Sequence, residues 1–433
     1  MNAGIINDAY HLLPQLRSFL TGSMTCSFVT GTNVFYLRSI YMQEKQSSYI
    51  LSVNCGSSSL KFSLYHSGSL LPECTGSVNA IGCAESNFDI RKGEQSIEHK
   101  ATGFKDLDAA IKAVIRWFKN SVYKNCLFAI GHRLVQGGPD HREPELITDR
   151  LLETLHQFIY LAPNHLPDEL KTIKTFQFAF PGLPQVACFD TAFHKNMPDE
   201  AKYYPLPAKY REQGVLHYGF HGLSYEYIMQ KLKSDMVKIK AQKIIIAHLG
   251  NGASMAAVKY GTCIETTMGL SPIGGLVMGT RSGDLDPGVI LFLLKQGGLT
   301  VTQLDELLSK GSGLKAIAGK SDVQGLLKME AKDPKALAAI TMFCYQARKF
   351  IGSLAAAMGG LDTLVFTGGI GENSAIIRER ICLDLGFLGI NLDKKSNYNN
   401  KKNISLARSR VNVLVMKTDE EKMIAQHTQT AIK

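Results

Sequence analysis

Apolar residues fall into two patterns along this chain. The runs ILSVNCGSSSLKFSLY (50–65), KIIIAHLGNGASMAAVKYG (243–261) and LDTLVFTGGIGENSAIIRER (361–380) each carry β-formers up to a knot of Gly, Ser and Asn, after which a second apolar run or a helix-like stretch begins. Such segments predict strands that end in tight turns. FKDLDAAIKAVIRWF (104–118) and PKALAAITMFCYQARKFIGSLAAAM (334–358) instead repeat apolar positions at helical spacing, which predicts amphipathic helices. The first two strand segments share one plan, strand, small-residue turn, strand, with one copy in each half. Hairpins alternating with helices predict an α/β architecture of helix-covered sheets, and 433 residues are enough for two domains.

Composition narrows the class without naming a chemistry. Hydrophobic residues make up 45% and charged residues 20%, as in an ordinary globular protein. The net charge of +10 is spread along the chain, and neither zinc-finger spacing nor an aromatic-basic RNA signature is present, so no nucleic-acid partner is expected. The one basic cluster, KKSNYNNKK (394–402), reads as a solvated loop. Nine cysteines include no C-x-x-C pair, the pattern of reduced thiols in a cytoplasmic protein. No window is apolar enough to span a membrane. The stretch SFLTGSMTCSFVTGTNVFYL (18–37) is broken by polar residues and lacks a basic segment ahead of it, so no signal peptide is expected. Met42 stands just ahead of the first strand, and residues 1–41 read as an upstream translation or a loosely held appendage.

A turn of Gly and Ser between strands offers backbone N–H groups and hydroxyls with little bulk, which suits the close approach of a polyphosphate. Taken singly, Asn54–Ser59 reads rather as a plain hairpin turn, but HLGNGAS (248–254) and TGGIGENS (367–374) repeat the device and reverse that reading. Two familiar phosphate loops are excluded. GLKAIAGKS (313–321) has one residue too many between its glycines and follows no strand; GIGENS (369–374) has Ser374 in place of the third glycine of a dinucleotide fingerprint. The short stretches GHRLVQGG (131–138), APNHLP (162–167), FDTAFH (189–194), YGFHG (218–222) and VMGTRSGDLDPG (277–288) set Arg, His or Asp among Gly and Pro beside apolar runs. Together they suggest a common anion site.

NCGSSSLKF, FDTAFH, HLGNGAS, GLVMGTRSGD, FTGGIGENSA and TDEEKMIAQ, in this order, resemble the motifs of the acetate kinases, a family of the sugar kinase, heat-shock chaperone and actin superfamily. The resemblance covers about residues 49–430. It implies two RNase H-like domains of the actin-like ATPase type with a nucleotide cleft between them: residues 49–195, joined by a C-terminal helix over 420–433, and residues 196–419, preceded by an extension over 1–48. It further implies phosphoryl exchange between Mg-ATP and acetate, giving acetyl phosphate and ADP, with Mn2+ as a possible replacement for Mg2+, in a homodimer. Carried over by position, Asn54 and Glu420 would hold the metal. Ser57, Ser59 and Lys61 would line the phosphate turn. Arg133 and Arg281 would clamp the carboxylate and the moving phosphoryl group, His221 and Asn251 would touch phosphoryl oxygens, and Asp190 would orient the metal or the carboxylate. Gly252, Asp322, Gly369, Gly371 and Asn373 would surround the nucleotide, and Val135, Asn164, Phe220 and Pro272 would wall the acyl pocket.

The chain departs from the family at Gln136, commonly His, and at His217 and Gln324, commonly Arg. Asn164 stands in APNHLP where the family has Leu facing the acetate methyl, and His165 keeps its usual place. A buried amide without a partner is costly, so either Asn164 turns away or the acid carries something to bond. Propionate, butyrate and hydroxylated short acids stay open beside acetate. A nucleotide clamp without transfer activity is the remaining alternative; a second set of anion-binding residues argues against it.

Overall fold

The computed structural model describes residues 48–56, 58–83, 85–101, 103–235 and 239–433. The readings made for residues 1–47 and for Ser57 lie outside them. Two sheets organise the described chain. The first contains β1 (Tyr49–Cys55), β2 (Leu60–His66), β3 (Pro72–Asn79), β4 (Asn87–Lys92), β5 (Gln95–Ala101), β6 (Leu127–Leu134), β7 (Glu145–Leu146) and β8 (Gln185–Phe189), in the order β5-β4-β3-β2-β1-β6-β8-β7. The second contains β9 (Lys243–Leu249), β10 (Ala253–Lys259), β11 (Thr262–Thr266), β12 (Thr363–Thr367) and β13 (Asn412–Val415), in the order β11-β10-β9-β12-β13. Both hold the same five-strand unit. β1 pairs antiparallel with β2 and parallel with β6, as β9 does with β10 and β12. The shared plan of the two hairpins is therefore one architectural unit used twice.

Seven helices matter for the site: α1 (Leu107–Asn120), α2 (Leu166–Ala179), α3 (Gly222–Asp235), α4 (Pro287–Lys295), α5 (Pro334–Met358), α6 (Gly368–Asn373) and α7 (Glu420–Ile432). α1 begins where Asp106 accepts the Ala109 amide at 2.9 Å, an N-cap worth about 1 kcal/mol. It lays Ile111, Val114 and Phe118 on one face of the first sheet against Phe62 and Phe88. α5 starts at a proline behind the Asp333 cap and stops at Gly359 in the left-handed region.

β9 is buried on both faces. Ile244 and Ile246 share a core with Tyr225 and Ile228 of α3, while Ile245 joins the core that contains Ile340 and Phe343 of α5. Strand alternation thus serves two helix layers at once. α7 closes the other face of the first sheet, packing on β1, β6, β8 and α3. It comes close because Gly131 of β6 lacks a side chain: a Cβ there would lie 2.1 Å from Thr428 Oγ1.

The basic cluster is not a free loop. Residues 394–398 form a short helix capped by Asp393, and Asn397 is buried, accepting Arg378 Nε at 2.8 Å. A polar amide inside a charge run carries no sequence signal of burial. No helix among the described residues is long and apolar enough to cross a membrane.

Candidate active site

The turns after β1, β9 and β12 open onto one cavity of about 540 Å3. At its centre Asn54, the penultimate residue of β1, joins both ends of the chain. Its Nδ2 donates to Glu420 Oε2 at 3.1 Å and Glu421 Oε1 at 3.2 Å, and its Oδ1 accepts Arg133 Nη1 at 3.1 Å. The two glutamates occupy the first turn of α7, which Asp419 caps by accepting the Lys422 amide at 2.9 Å. A helix N-terminus favours acidic groups. The pair nonetheless splits: Arg133, His248 and Lys61 hold Glu420 below the usual carboxylate range against the effect of burial, whereas burial and the Glu420 charge raise Glu421.

Arg133 projects from β6 onto Asp190, just beyond β8. Asp190 is fully buried, and its Oδ2 accepts Arg133 Nε at 3.1 Å, Arg133 Nη2 at 2.5 Å and the His221 amide at 3.3 Å. Its Oδ1 is buried with no partner among the described residues. Burial pulls Arg133 down, but the Asp190 and Glu420 charges outweigh it and raise its pKa.

Arg281 is different. Its Nη1 donates to the Pro272 carbonyl at 3.1 Å, and no carboxylate among the described residues lies within ion-pair distance. Burial, and then Arg133, lower its pKa. Lys61 and Lys417 in the same lining also make no ion pair among the described residues, but both are exposed, whereas Arg281 is half-buried.

His221 sits on a strained turn. Gly219 has φ +76° and His221 itself φ +60°, a conformation unusual for a side-chain-bearing residue. The imidazole stacks on His248 with ring centroids 4.4 Å apart, and its Nδ1 pairs with Ser254 Oγ at 2.8 Å. Burial, followed by His248 and the two arginines, pushes His221 well below the ordinary histidine range. The side chain therefore offers a polar nitrogen and no charge to the cavity.

Most of the remaining sequence-derived positions converge here. Ser59, Lys61, Asn251, Gly252 and Gly369 line the cavity, and Val135, Phe220 and Pro272 form an apolar patch in its wall. Asn164 does not line it; the adjacent His165 does. Leu166 is fully buried in that turn while Asn164 stays half-exposed, so the apolar side chain has taken the inside place. Three proposed nucleotide residues also lie outside the lining. Asp322 caps the next helix by accepting the Gly325 amide at 2.6 Å, Asn373 donates to the Gly369 carbonyl at 2.9 Å, and Gly371 packs beside Phe366.

The structure adds residues that sequence reasoning passed over: Glu421, His248 and Glu372 all line the cavity. Glu372 Oε1 accepts the Gly368 and Thr418 amides at 3.0 and 3.2 Å, tying α6 to the segment entering α7. All three stand inside the quoted motifs, so their neighbourhood was visible and their function was not.

Two sheets that share one five-strand unit, with turns facing one cavity lined with cations and carboxylates, define the actin-like ATPase architecture, here in a form suited to phosphoryl transfer. The sequence pattern of the Acetokinase family matches residues 49–426. The acetate kinase of Nitrobacter hamburgensis is 42% identical over 386 residues, covering 88% of this chain and 95% of that protein. Among solved structures, a propionate kinase from Francisella tularensis superposes with a TM-score of 0.83 at 38% identity, covering 88% of this chain and 99% of the other. Acetate kinase from Porphyromonas gingivalis gives 0.78 at 37% identity, covering 89% and 100%. The chain belongs to the acetokinase family.

Proposed function

We infer that this enzyme transfers the γ-phosphoryl group of ATP reversibly to acetate, giving acetyl phosphate and ADP, and that it requires Mg2+. The observation that carries the reading is Arg281, a partly buried cation without a counter-charge, in the cavity that also holds the Arg133–Asp190 pair and the patch of Val135, Phe220 and Pro272. A short carboxylate supplies what that arrangement lacks: an anion for the arginines and a methyl group for the patch.

A carboxylic acid is already ionised at neutral pH and attacks without a general base. The difficulty is electrostatic, since two anions must meet in line. Arg133, fixed by Asp190 and Asn54, and Arg281, held by the Pro272 carbonyl, oppose that repulsion and orient the reacting oxygens. His221 and Asn251 face the phosphoryl group as hydrogen-bonding partners. Ser59, Lys61, Gly252 and Gly369 cradle the phosphates, and the family resemblance alone adds Ser57 to that role. Asp322, Gly371 and Asn373 would meet a nucleotide that extends beyond the cavity.

The donor set fits a hard cation. Asn54, Glu420 and Glu421 supply oxygens, and Asp190 Oδ1 is buried without a partner. Magnesium commonly takes one or two carboxylates and completes its shell with water and phosphate. When bound it would neutralise phosphate charge; Mn2+ has the same oxygen preference.

A homodimer is supported by α4, which has no buried residue and exposes Val289, Leu291 and Phe292. Apolar side chains grouped on one helix mark an interface. The free thiols of the described chain, most of them buried, support a cytoplasmic setting.

The test is hydroxylamine trapping of acyl phosphate from Mg-ATP with acetate, propionate, butyrate, lactate and glycolate. Highest kcat/KM with acetate supports the reading, a longer or hydroxylated acid in first place replaces the substrate, and no product with any acid overturns it.

A further inference from the structure

One buried acid beside the site has no part in the chemistry above. Glu169 lies in the first turn of α2, which starts directly after the cavity residue His165. It is only 2% exposed. Its Oε2 accepts the backbone N–H of Val135, the acyl-pocket wall, at 3.1 Å, and its Oε1 is buried with no partner among the described residues.

The groups that act on it from neighbouring elements are Arg133 on β6, Asp190 beyond β8, Cys55 on β1 and Asp168 on its own helix. Arg133 is already committed to Asp190 and Asn54 and makes no ion pair with Glu169. A carboxylate buried with one amide as its only bond is strongly disfavoured, whereas the neutral acid is tolerated.

We propose that Glu169 is a positioning residue that works in its protonated form, fixing the Val135 backbone while leaving the charge of Arg133 to the acyl substrate. The proposal rests on the acyl-kinase reading above. Burial is the main reason that the Glu169 carboxyl is pushed up to about 8; Arg133 and the Val135 amide work against it, and Asp190 and Asp168 add to it. Its proton is therefore lost in the mildly alkaline range. The resulting anion competes with the substrate carboxylate for Arg133. The bound acid in turn favours the protonated form, because binding linkage is reciprocal.

Two measurements on the full chain test this. The first is the pH dependence of KM for acetate and of kcat, in wild type and in Glu169→Gln, which keeps an acceptor for the Val135 amide and cannot ionise. In wild type, KM for acetate should rise about fivefold to tenfold between pH 7 and pH 9.5, a typical coupling, with much smaller changes in kcat and in KM for ATP. In the Gln variant the rise should shrink to about twofold or less. An equal alkaline rise in both proteins overturns the proposal, and so does no rise in wild type. A wild-type enzyme that forms no acyl phosphate at any pH refutes the acyl-kinase reading instead.

The second measurement needs no variant. Calorimetry of acetate binding at pH 8.5, in buffers of different ionisation enthalpy, should show uptake of about half a proton per site. Binding without proton uptake overturns the proposal.

Discussion

Replacing Asp190 by Asn removes one charge and keeps the shape. Asp190 is fully buried and receives two guanidinium N–H groups of Arg133 on one oxygen, while the Arg133 side chain itself is 14% exposed. Asn can still accept through its amide oxygen from a guanidinium that stays charged, but with charge on one side only each bond falls from about 3 to about 1.5–2 kcal/mol. The loss is about 2–3 kcal/mol. If Arg133 is oriented for the transition state by this pair, kcat/KM for acetate drops about 30-fold to 150-fold. The same substitution leaves Arg133 buried without its counter-charge, a change that costs up to about 3–5 kcal/mol of stability. Unfolding entropy near 2.1 cal/mol/K per residue makes 1 kcal/mol worth about 1.2 °C for a body of this length, so Tm should fall by about 4–6 °C. The assays are hydroxylamine trapping and calorimetric melting. A variant within about threefold of wild type in kcat/KM, with an unchanged Tm, would refute the reasoning, because the pair would then hold neither the active geometry nor the buried charge.

Three further outcomes are expected. Arg281→Ala and Arg133→Ala should each lower turnover about 100-fold to 1000-fold, by analogy with loss of a preorganised oxyanion donor; half or more of wild-type turnover in both would sink the assignment. Gly219→Ala should destabilise the protein by about 2 kcal/mol or more, since Gly219 has φ +76° and a Cβ would lie 2.5 Å from the buried His194 ring. Melting checks it, and activity should fall too because the turn carries Phe220 and His221. Leu291→Asp combined with Phe292→Asp should convert a dimer to monomers in sedimentation, and a wild-type chain that sediments as a monomer would remove the dimer proposal.

Much of the fold was legible because its signals are local. The two hairpins announce themselves by strand-forming runs around small-residue turns, and α1 and α5 by apolar positions at helical spacing. Asn54, Ser59, Lys61, Asn251 and Gly252 stand at or near the ends of those strands, where turns bring them to one cavity. Asn164 was not legible, since which of two neighbours in a loop faces inward depends on what packs above it. Glu372 could be seen only as part of a motif until its bonds to Gly368 and Thr418 were known.

The amino-acid sequence by itself determined the elements, the doubled hairpin plan and the residue types available for anion chemistry, because backbone preference and side-chain type act over a few residues. Tertiary structure decided which polar groups lost water and which charges found partners. Asn54 meets Glu420 across most of the chain, Arg281 is left without a counter-charge, His221 is held neutral, and Glu169 is buried on a single amide. Coulomb energy and desolvation depend on distances in space and on the depth of burial, and neither is written in the order of residues.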